Sequence, residues 1–497
     1  MIEVLQRDYR VMIAEPTTMA ALLNSLQMGF KTLEVQKSSA DVWKVLTNVK
    51  SEFGKFEAAL LATQRRLRQT DEELDKLVGT RTRMMNRQLR RYRMRKIHNY
   101  SEVGTLKTVL LHRIGPEVEG LVPDNFSRLL FDDIPYLKVA MEEHDAFANL
   151  LRAHGVEVLD YTEELTRALA DNEARSAFLR RLIADSLVSS QTLEASLLEY
   201  LSTLPTEKMV NAVISGVRRK DLPDFNSPHF ADFISANSPF LLDPMPNLYF
   251  TRDPGACIGN GISIHHMHTQ TRRRESLLLD YIFHKNWQRD DPEARQWYDY
   301  DDPYSIEGGD ILVLNRETVA VGLSQRTTAI AIELFARKLL MGSTFRRVVV
   351  FDIPKARAFM HLDTVFTMVD RDKFVVHPEI EEPLRVFEMV PERGGEVHFS
   401  AITGTLTEVL KRILSLNAVD LIRCGGDDPV ASQREQWNDG SNTLALSPGV
   451  VVTYERNHVT NELLERHGVR VLTIPSSELS RGRGGPRCMS CPIFRED

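Results

Sequence analysis

Leu150-Leu151-Arg152-Ala153-His154-Gly155-Val156-Glu157-Val158-Leu159 returns near the other end of the chain as Leu463-Leu464-Glu465-Arg466-His467-Gly468-Val469-Arg470-Val471-Leu472. Each copy predicts the end of a helix, a glycine that caps it and a β-strand. A longer unit, in which an acidic or asparagine residue precedes two strands, an arginine and a helix, recurs over residues 253–272, 310–326 and 442–456. Such repeats predict a pseudosymmetric α/β assembly, in which each module buries its apolar face against the next and the module ends converge at one mouth.

The chain around these repeats divides into regions of different character. Residues 106–112 and 156–159 predict strands, and residues 135–152 between them predict a helical region. Residues from about 162 to 220 have a helical pattern, which predicts an all-α insertion, and residues 222–248 are rich in loop-forming residues. The pattern changes near residues 90–97. We therefore expect two domains, over residues 1–93 and 97–497.

The first domain is mostly helical by its pattern. Residues 9–14 predict a short strand, and two helices follow. The second helix carries a stripe at sevenfold spacing, which predicts a coiled-coil-like packing face: Phe53, Leu60, Leu67 and Leu74. Residues 81–96 contain eight basic residues and no acidic one. Such a run can bind nucleic acid or an anionic surface, but a solvated helix end or a linker is the simpler interpretation.

Composition excludes several classes of protein. Hydrophobic residues make up 42% and charged residues 26% of the 497, as in ordinary globular proteins. The net charge of −7 gives no overall reason to expect nucleic-acid binding by the second domain. No apolar run approaches the roughly 20 residues that a membrane span needs, and the N-terminus has no signal-peptide pattern. Four cysteines do not make a disulfide framework, so we expect a cytoplasmic protein.

One glycine-rich loop near the C-terminus is built to present a cysteine: Gly482-Arg483-Gly484-Gly485-Pro486-Arg487-Cys488-Met489-Ser490-Cys491-Pro492. Glycines let a ligand approach the backbone closely, and a thiol near fixed positive charge ionises more easily. Cys488 is therefore a candidate nucleophile. A structural role, half a zinc site or a redox pair with Cys491 are the alternatives. A zinc site needs about four ligands, and Cys257 and Cys424 stand alone in the sequence.

Four polar clusters lie next to predicted strands. They are Asn247-Leu248-Tyr249-Phe250-Thr251-Arg252-Asp253-Pro254, Glu307-Gly308-Gly309-Asp310, His361-Leu362-Asp363-Thr364-Val365-Phe366 and Trp437-Asn438-Asp439-Gly440-Ser441-Asn442. In the third cluster, strand alternation would put His361 and Asp363 on one face. Alone, each cluster has an ordinary explanation: a turn or helix cap at Asp253, a tight turn at residues 307–310, and a hydrogen-bonded core histidine at His361.

Together the clusters predict one site for a cationic ligand. Asp253, Glu307 and Asp363 would place about three negative charges around a nucleophile and a histidine, and a guanidinium pairs well with carboxylates. The remaining arginines could bind a carboxylate at the other end of the same ligand: Arg272, Arg326 and Arg483. A ligand with both groups is arginine. A metal at His265, His266 and His268 is disfavoured because the first two point to opposite faces of a strand.

From about residue 97 onward the chain resembles arginine deiminases. The motifs are Phe250-Thr251-Arg252-Asp253, Glu307-Gly308-Gly309-Asp310, Met360-His361-Leu362-Asp363-Thr364 and the Cys488 loop, all in the family's order. The resemblance implies a five-bladed α/β propeller (the pentein fold) with a helical insertion. It also implies hydrolysis of L-arginine to L-citrulline and ammonia through a covalent intermediate, with no metal and no organic cofactor.

The resemblance assigns roles residue by residue. Cys488 matches the nucleophile, His361 the general acid and base, and Glu307 the carboxylate that supports the histidine. Asp253 and Asp363 match the carboxylates that bind the guanidinium. The substrate-binding positions are Asn247, Phe250, Arg272, Arg326 and Arg483, with the arginines mainly around the α-carboxylate. Arg487 stands next to the nucleophile, where some family members carry histidine.

Residues 1 to about 93 resemble the C-terminal tail of RmuC-type DNA-recombination proteins. The match lies in Ala14-Glu15-Pro16-Thr17-Thr18-Met19-Ala20-Ala21-Leu22-Leu23-Asn24-Ser25-Leu26-Gln27-Met28-Gly29-Phe30 and in Val78-Gly79-Thr80-Arg81-Thr82. That family's nuclease-like core would lie upstream of this stretch, so we expect no nuclease activity.

Two rival functions remain open from the sequence. One is another guanidine-modifying reaction, and the three candidate carboxylate-binding arginines count against agmatine as its substrate. The other is a non-catalytic arginine sensor or a structural adaptor, with the N-terminal coiled-coil-like segment as its working part. The complete set of predicted catalytic residues counts against it. A homo-oligomer is possible through the coiled-coil-like stripe.

Overall fold

The computed structural model describes residues 8, 10, 19–29, 96–186, 188–234, 238–356, 359–381 and 384–497. The chain divides into two compact units, Met1–Arg93 and Met94–Asp497. In the first unit, residues 19–29 are helical. The strand predicted over residues 9–14 and the coiled-coil-like stripe lie outside the described residues, apart from Arg10, which is in neither a helix nor a strand.

The second unit is a mixed α/β structure. Its α-helices among the described residues are Phe126–Leu129, Leu137–Ala153, Tyr161–Ala168, Asn172–Asp185, Gln191–Thr203, Thr206–Ser215, Phe230–Ile234, Arg273–Ile282, Gln288–Asp290, Ala329–Gly342, Leu406–Leu414, Pro429–Trp437 and His458–Arg466. Its strands are β1 (Thr105–Leu111), β2 (Glu157–Asp160), β3 (Val217–Arg218), β4 (Phe240–Leu242), β5 (Gly255–Ile258), β6 (Gly261–Ile264), β7 (Arg295–Tyr298), β8 (Ile311–Asn315), β9 (Thr318–Leu323), β10 (Arg347–Asp352), β11 (Phe366–Met368), β12 (Lys373–Val376), β13 (Arg385–Pro391), β14 (Val397–Ile402), β15 (Asp420–Arg423), β16 (Leu444–Ser447), β17 (Val450–Tyr454), β18 (Arg470–Ile474) and β19 (Cys491–Glu496).

Five of the sheets share one arrangement, in which an antiparallel pair is extended by a parallel third strand. The strand orders are β19-β1-β2, β5-β6-β7, β11-β12-β15 and β16-β17-β18, and β8-β9-β10 continues into β13 and β14. Three of these sheets are the repeats found in the sequence. The longer repeat unit is not visible in the other two, because β19 and β1 come from opposite ends of the unit and because the β13–β14 hairpin interrupts the path from β12 to β15. The shorter repeat over residues 150–159 marks only the helix and β2 of the β19-β1-β2 sheet.

A helix connects the parallel strands, because parallel pairing needs a crossover. The chain passes from β1 through Leu137–Ala153 to β2, and from β17 through His458–Arg466 to β18. Both helices end before a glycine in the left-handed region, Gly155 with φ 79° and Gly468 with φ 77°. The pattern of helix, glycine and strand predicted for residues 150–159 and 463–472 is therefore confirmed in both copies.

The helical insertion is shorter than its sequence pattern predicted. Its helices end at Ser215, and β3 then pairs with β4. The end of the predicted all-α insertion is thus the short strand Val217–Arg218 followed by the 3₁₀ helix Arg219–Asp221, and the predicted loop over residues 222–248 contains the helix Phe230–Ile234 and β4. A two-residue strand has no periodicity of its own, and its pairing across more than twenty residues is visible only in the tertiary structure.

Apolar packing joins the insertion to the sheets. Leu182, Leu197 and Leu201 belong to the same buried cluster as Leu110 of β1 and Ile262 of β6. Among the described residues, no helix is long and apolar enough to span a membrane.

The polar segments of the sequence occupy equivalent places in the five sheets. Each one ends within a few residues of the first strand of its antiparallel pair. They are residues 247–253 before β5, 307–310 before β8, 361–364 before β11, 437–442 before β16 and 482–490 before β19. The fold therefore places the same kind of segment at the same point of every module.

The two capping glycines give a test of the repeat. Replacing Gly155 or Gly468 by alanine should lower the free energy of unfolding by about 1–2 kcal/mol each, because a Cβ is unfavourable in the left-handed region. No heavy atom lies within 4 Å of either Cβ position, so the cost is conformational. Denaturant titration measures it. Gly155→Asn should cost less than Gly155→Ala, since asparagine tolerates this region, and equal costs would contradict the interpretation.

Candidate active site

One cavity of about 260 Å³ brings together nine of the ten predicted site residues. Its lining includes Asn247, Phe250, Asp253, Arg272, Glu307, Arg326, His361, Arg483 and Cys488. The tenth residue, Asp363, is fully buried and lies against Cys488.

Cys488 is held by its loop with the thiol beside a carboxylate. Its side chain is 5% exposed, and Sγ lies 3.6 Å from Oδ2 of Asp363. The backbone N–H of Cys488 donates to Oδ1 of Asn442 at 2.9 Å, and its carbonyl accepts from the N–H of Arg252 at 3.1 Å. Burial raises the pKa of the Cys488 thiol well above its usual value, as do Asp363 and Asp253, while Arg487 opposes the shift. The free thiol is therefore protonated at neutral pH.

His361 forms a buried pair with Glu307. Nε2 of His361 lies 2.7 Å from Oε2 of Glu307, and Nδ1 lies 4.0 Å from Oδ1 of Asp253. Burial lowers the pKa of His361, but Asp253 and the hydrogen bond to Glu307 raise it to about 9. Gly309 makes room for the ring, because a Cβ there would stand 2.5 Å from Nδ1 of His361. The imidazole is thus a cation at neutral pH and a ready proton donor.

Asp253 is held from one side by Arg272. Nη1 of Arg272 donates to Oδ2 of Asp253 at 2.7 Å, and the same guanidinium binds Glu275 through Nε and Nη2. Oδ1 of Asp253 is buried and has no hydrogen-bond partner among the described residues. One oxygen of this carboxylate is therefore fixed and the other is available to a ligand.

Asp363 has the same arrangement. Nη1 of Arg487 donates to Oδ2 of Asp363 at 2.6 Å, while Oδ1 is buried without a partner in the described part of the chain. These two oxygens belong to the two carboxylates predicted to bind a guanidinium, and Oδ2 of Asp439 is also buried without a partner among the described residues. Buried carboxylate oxygens are normally hydrogen-bonded, so this pattern favours a ligand with several N–H donors.

Asp310 holds the backbone of the residue that follows His361. Its Oδ2 accepts from the hydroxyls of Ser324 and Thr327, both at 2.6 Å, and its Oδ1 accepts from the N–H of Leu362 at 2.8 Å. Burial raises the pKa of Asp310 to about 7. These hydrogen bonds tie the segment of His361 to β9 and its following turn.

Two further cations line the cavity. The Nε and Nη1 atoms of Arg326 are buried without partners among the described residues. The guanidinium of Arg483 stacks on the ring of Trp437, 3.4 Å from its centroid. Both arginines could bind the anionic end of a ligand whose cationic end meets the carboxylates.

The structure corrects one step of the sequence reasoning and supplies residues that it missed. Residues Leu362–Thr364 form a 3₁₀ turn before β11, so His361 and Asp363 are not related by strand alternation. Asn442 belongs to the fourth polar cluster, and its side chain accepts a hydrogen bond from the backbone N–H of Cys488. The sequence signal for such a role is that Asn442 lies just before a predicted strand, as the other site residues do. Glu102, which binds Arg487, had no sequence signal.

Among the described residues, no group of three or more histidine, cysteine, aspartate and glutamate side chains is arranged to hold a metal ion.

Fold and site together define a class: a mixed α/β protein with a buried cysteine set among a histidine and three carboxylates. The arginine deiminase family model matches residues 127–495, and the RmuC family model matches residues 1–101. The chain is 50% identical over 410 residues to the arginine deiminase of Clostridium perfringens, covering 81% of this chain and 99% of that one. It is 49% identical over 406 residues to that of Bacillus cereus, with the same coverage. The chain belongs to the arginine deiminase family.

Solved structures give more distant matches. An amidinotransferase of saxitoxin biosynthesis from Microseira wollei is 15% identical, with a TM-score of 0.46 over 81% of this chain and 98% of that one. A dimethylarginine dimethylaminohydrolase adduct with S-methyl-L-thiocitrulline is 16% identical, with a TM-score of 0.44 over 78% and 99%. The family assignment rests on the sequence relatives.

The His361–Glu307 pair can be tested by titration. Glu307→Gln should move the midpoint of His361, followed by NMR of the imidazole, below its value of about 9, because a carboxylate that favours the cation is lost. The raised pKa also means that the pair stabilises the fold below about pH 6.5, and that this contribution is lost as the pH rises through about 9. Glu164→Gln, a buried glutamate in the helical insertion, is the control. An unchanged midpoint in Glu307→Gln would contradict the assignment.

Proposed function

We propose that this protein hydrolyses L-arginine to L-citrulline and ammonia. One observation carries the proposal: in a member of the arginine deiminase family, the Cys488 thiol, the His361–Glu307 pair and the open oxygens of Asp253 and Asp363 meet at one buried site. A nucleophile, an acid and two guanidinium acceptors are what deimination requires.

The two open oxygens would bind the substrate guanidinium. Arg272 and Arg487 each hold the other oxygen of their carboxylate, so Asp253 and Asp363 present fixed acceptors. Such acceptors orient the planar guanidinium and hold its carbon in line with Sγ of Cys488.

The other end of the cavity would bind the amino-acid end of the substrate. Arg326 and Arg483 supply positive charge for the α-carboxylate, and Arg272 is a further candidate, although it already binds Asp253 and Glu275. Asn247 and Phe250 also line the cavity.

In the first chemical step the thiolate of Cys488 attacks the guanidinium carbon. The S–C bond forms, a C–N bond breaks, and His361 gives its proton to the departing nitrogen, which leaves as ammonia. A covalent thiouronium intermediate remains on Cys488. Because the pKa of His361 is about 9, the imidazole holds the required proton at neutral pH.

In the second step His361, now neutral, takes a proton from water, whose oxygen attacks the same carbon. The C–S bond then breaks while the remaining hydroxyl proton is lost to solvent, which releases neutral citrulline and regenerates both the thiolate and the protonated imidazole. Glu307 keeps the imidazole oriented through both steps by its 2.7 Å hydrogen bond.

The substrate itself would ionise the nucleophile. Burial, Asp363 and Asp253 raise the thiol pKa of the free protein, and a bound guanidinium would compensate the two carboxylates and lower it. The thiolate would therefore be populated mainly in the substrate complex, and the thiol proton would be lost to solvent as the substrate binds, because His361 is already protonated.

We also propose that the five sheets of residues 97–497 form a five-bladed α/β propeller with a helical insertion. The shared antiparallel and parallel pairing of the five sheets supports this arrangement, as does the equivalent place of the five polar segments. Residues 1–93 form a separate domain in this proposal, consistent with the RmuC family match.

Product release tests the reaction. The purified full chain should release citrulline and ammonia in equal amounts from L-arginine, and Cys488→Ser should lose this activity, because its hydroxyl is a far weaker nucleophile. Cys491→Ser is the matched control, three residues away and outside the cavity lining, and should retain activity. Folded protein that binds arginine without releasing either product would contradict the proposal and favour a sensor.

Arg326 tests the binding orientation. Arg326→Ala should raise KM for L-arginine by about 10-fold to 100-fold, as the loss of a charge-assisted hydrogen bond of about 1.5–3 kcal/mol implies. Agmatine, which lacks the α-carboxylate, is the control substrate, and its kcat/KM should be almost unchanged. An equal loss for both substrates would contradict the assignment of Arg326 to the carboxylate.

A further inference from the structure

Glu102 is a buried glutamate in the segment that precedes β1. It is 6% exposed and does not line the cavity. Its Oε2 accepts from Nε of Arg487 at 3.1 Å, and its Oε1 lies 3.9 Å from Nη1 of Arg252. Oε1 also accepts from the N–H of Val313 in β8, at 3.2 Å. One carboxylate therefore contacts three separate parts of the fold.

The two arginines flank active-site residues in the sequence. Arg252 directly precedes Asp253, and Arg487 directly precedes Cys488. The backbone N–H of Arg252 also donates to the carbonyl of Cys488 at 3.1 Å. Glu102 thus binds the side chains of two loops whose backbones already touch.

Arg487 extends this contact to the substrate-binding carboxylate. It donates through Nε to Glu102, through Nη1 to Asp363 and through Nη2 to the carbonyl of Ile311, at 3.1, 2.6 and 2.7 Å. Glu102 and Ile311 fix the plane of the guanidinium, so the remaining N–H can hold Oδ2 of Asp363 and leave Oδ1 open.

Glu102 is ionised at neutral pH. Burial raises its pKa, but Arg487, Arg252 and Arg495 lower it to about 2. The three arginines are 2% exposed or less. Since buried like charges repel, removing this carboxylate would leave a cluster of arginines facing only Asp363.

We propose that Glu102 is a positioning residue of the active site, which acts through Arg487 and Arg252 to fix the loops of Cys488 and Asp253 and the orientation of Asp363. It makes no contact with the cavity, so it acts on the reaction only through these arginines. The inference rests on the proposed function for its kinetic consequences.

Glu102 also acts on the thiol indirectly, because it pairs with Arg487, whose positive charge lowers the pKa of Cys488. The groups that face Cys488 from the surrounding elements are Asp253, Asp363, Asp439, Tyr249, Tyr454, His361 and Arg487. Glu102 reaches the thiol through Arg487. In the native protein Glu102 neutralises part of the positive charge of Arg487. Without Glu102, Arg487 would stabilise the thiolate of Cys488 more strongly, and the pKa of the thiol would fall.

The experiment compares Glu102→Gln and Glu102→Asp with Glu164→Gln, a buried glutamate of the helical insertion. Two quantities are measured in the full chain: kcat and KM for L-arginine, and the pH dependence of Cys488 alkylation by iodoacetamide. Circular dichroism and thermal unfolding establish that each variant is folded.

We expect Glu102→Gln to lower kcat by about 100-fold with KM changed less than about threefold, because a misplacement of about 1 Å has an effect of this size. Its alkylation profile should move to lower pH. Glu102→Asp, with the charge kept on a shorter side chain, should lower kcat by about 10-fold and move the profile less. Glu164→Gln should match the wild type.

Wild-type kcat and alkylation in folded Glu102→Gln would overturn the proposal. If that variant does not fold, wild-type values in folded Glu102→Asp would overturn it instead. A loss of kcat with an unmoved alkylation profile would indicate a merely structural role, which also overturns it. The alkylation profile does not depend on turnover, so a wild type that releases no citrulline would refute the proposed function and leave this inference to be judged on alkylation.

Discussion

Buried charge is the constraint on which the site depends. A carboxylate inside a protein is costly unless it is paired, and this site holds three: two line the cavity and the third lies against Cys488. Each has its own fixed cationic partner: Asp253 with Arg272, Asp363 with Arg487, and Glu307 with His361. Each of the two aspartates pairs with its arginine through one carboxylate oxygen only, and the other oxygen has no partner among the described residues. The site can therefore fold without its ligand and still offer two acceptors to a guanidinium.

The repeated topology explains how distant residues meet. The polar segments lie just before the first strand of the antiparallel pair in each of five sheets. A single position in a repeated module has thus been given different side chains: carboxylates in two modules, a histidine with an aspartate in the third, an asparagine in the fourth and a cysteine in the fifth. Function is placed on loops, while the sheets and helices hold their positions.

Much of the site could be predicted from the sequence, because several of its residues sit in short motifs with unusual composition. The Cys488 loop and the segment before Asp310 are both unusually rich in glycine. An ordinary turn needs fewer glycines, so this composition indicates a close approach of the backbone to another group. Three of the five modules were also visible as repeats. The pairing of β19 with β1 was not, since the two strands lie at opposite ends of the unit, and β3 was too short to have a pattern.

Residue types and their short spacing are enough to specify the chemical groups, the capped helix–strand units and the family to which residues 127–495 belong. A linear chain displays these properties directly. Three features depend on the three-dimensional arrangement instead: which oxygen of each aspartate is open, the hydrogen bond from Cys488 to Asn442, and the pairing of Glu102 with the arginines beside Asp253 and Cys488. These are contacts between residues up to several hundred positions apart, and they form because burial forces each charged and polar group to find a partner wherever the fold brings one.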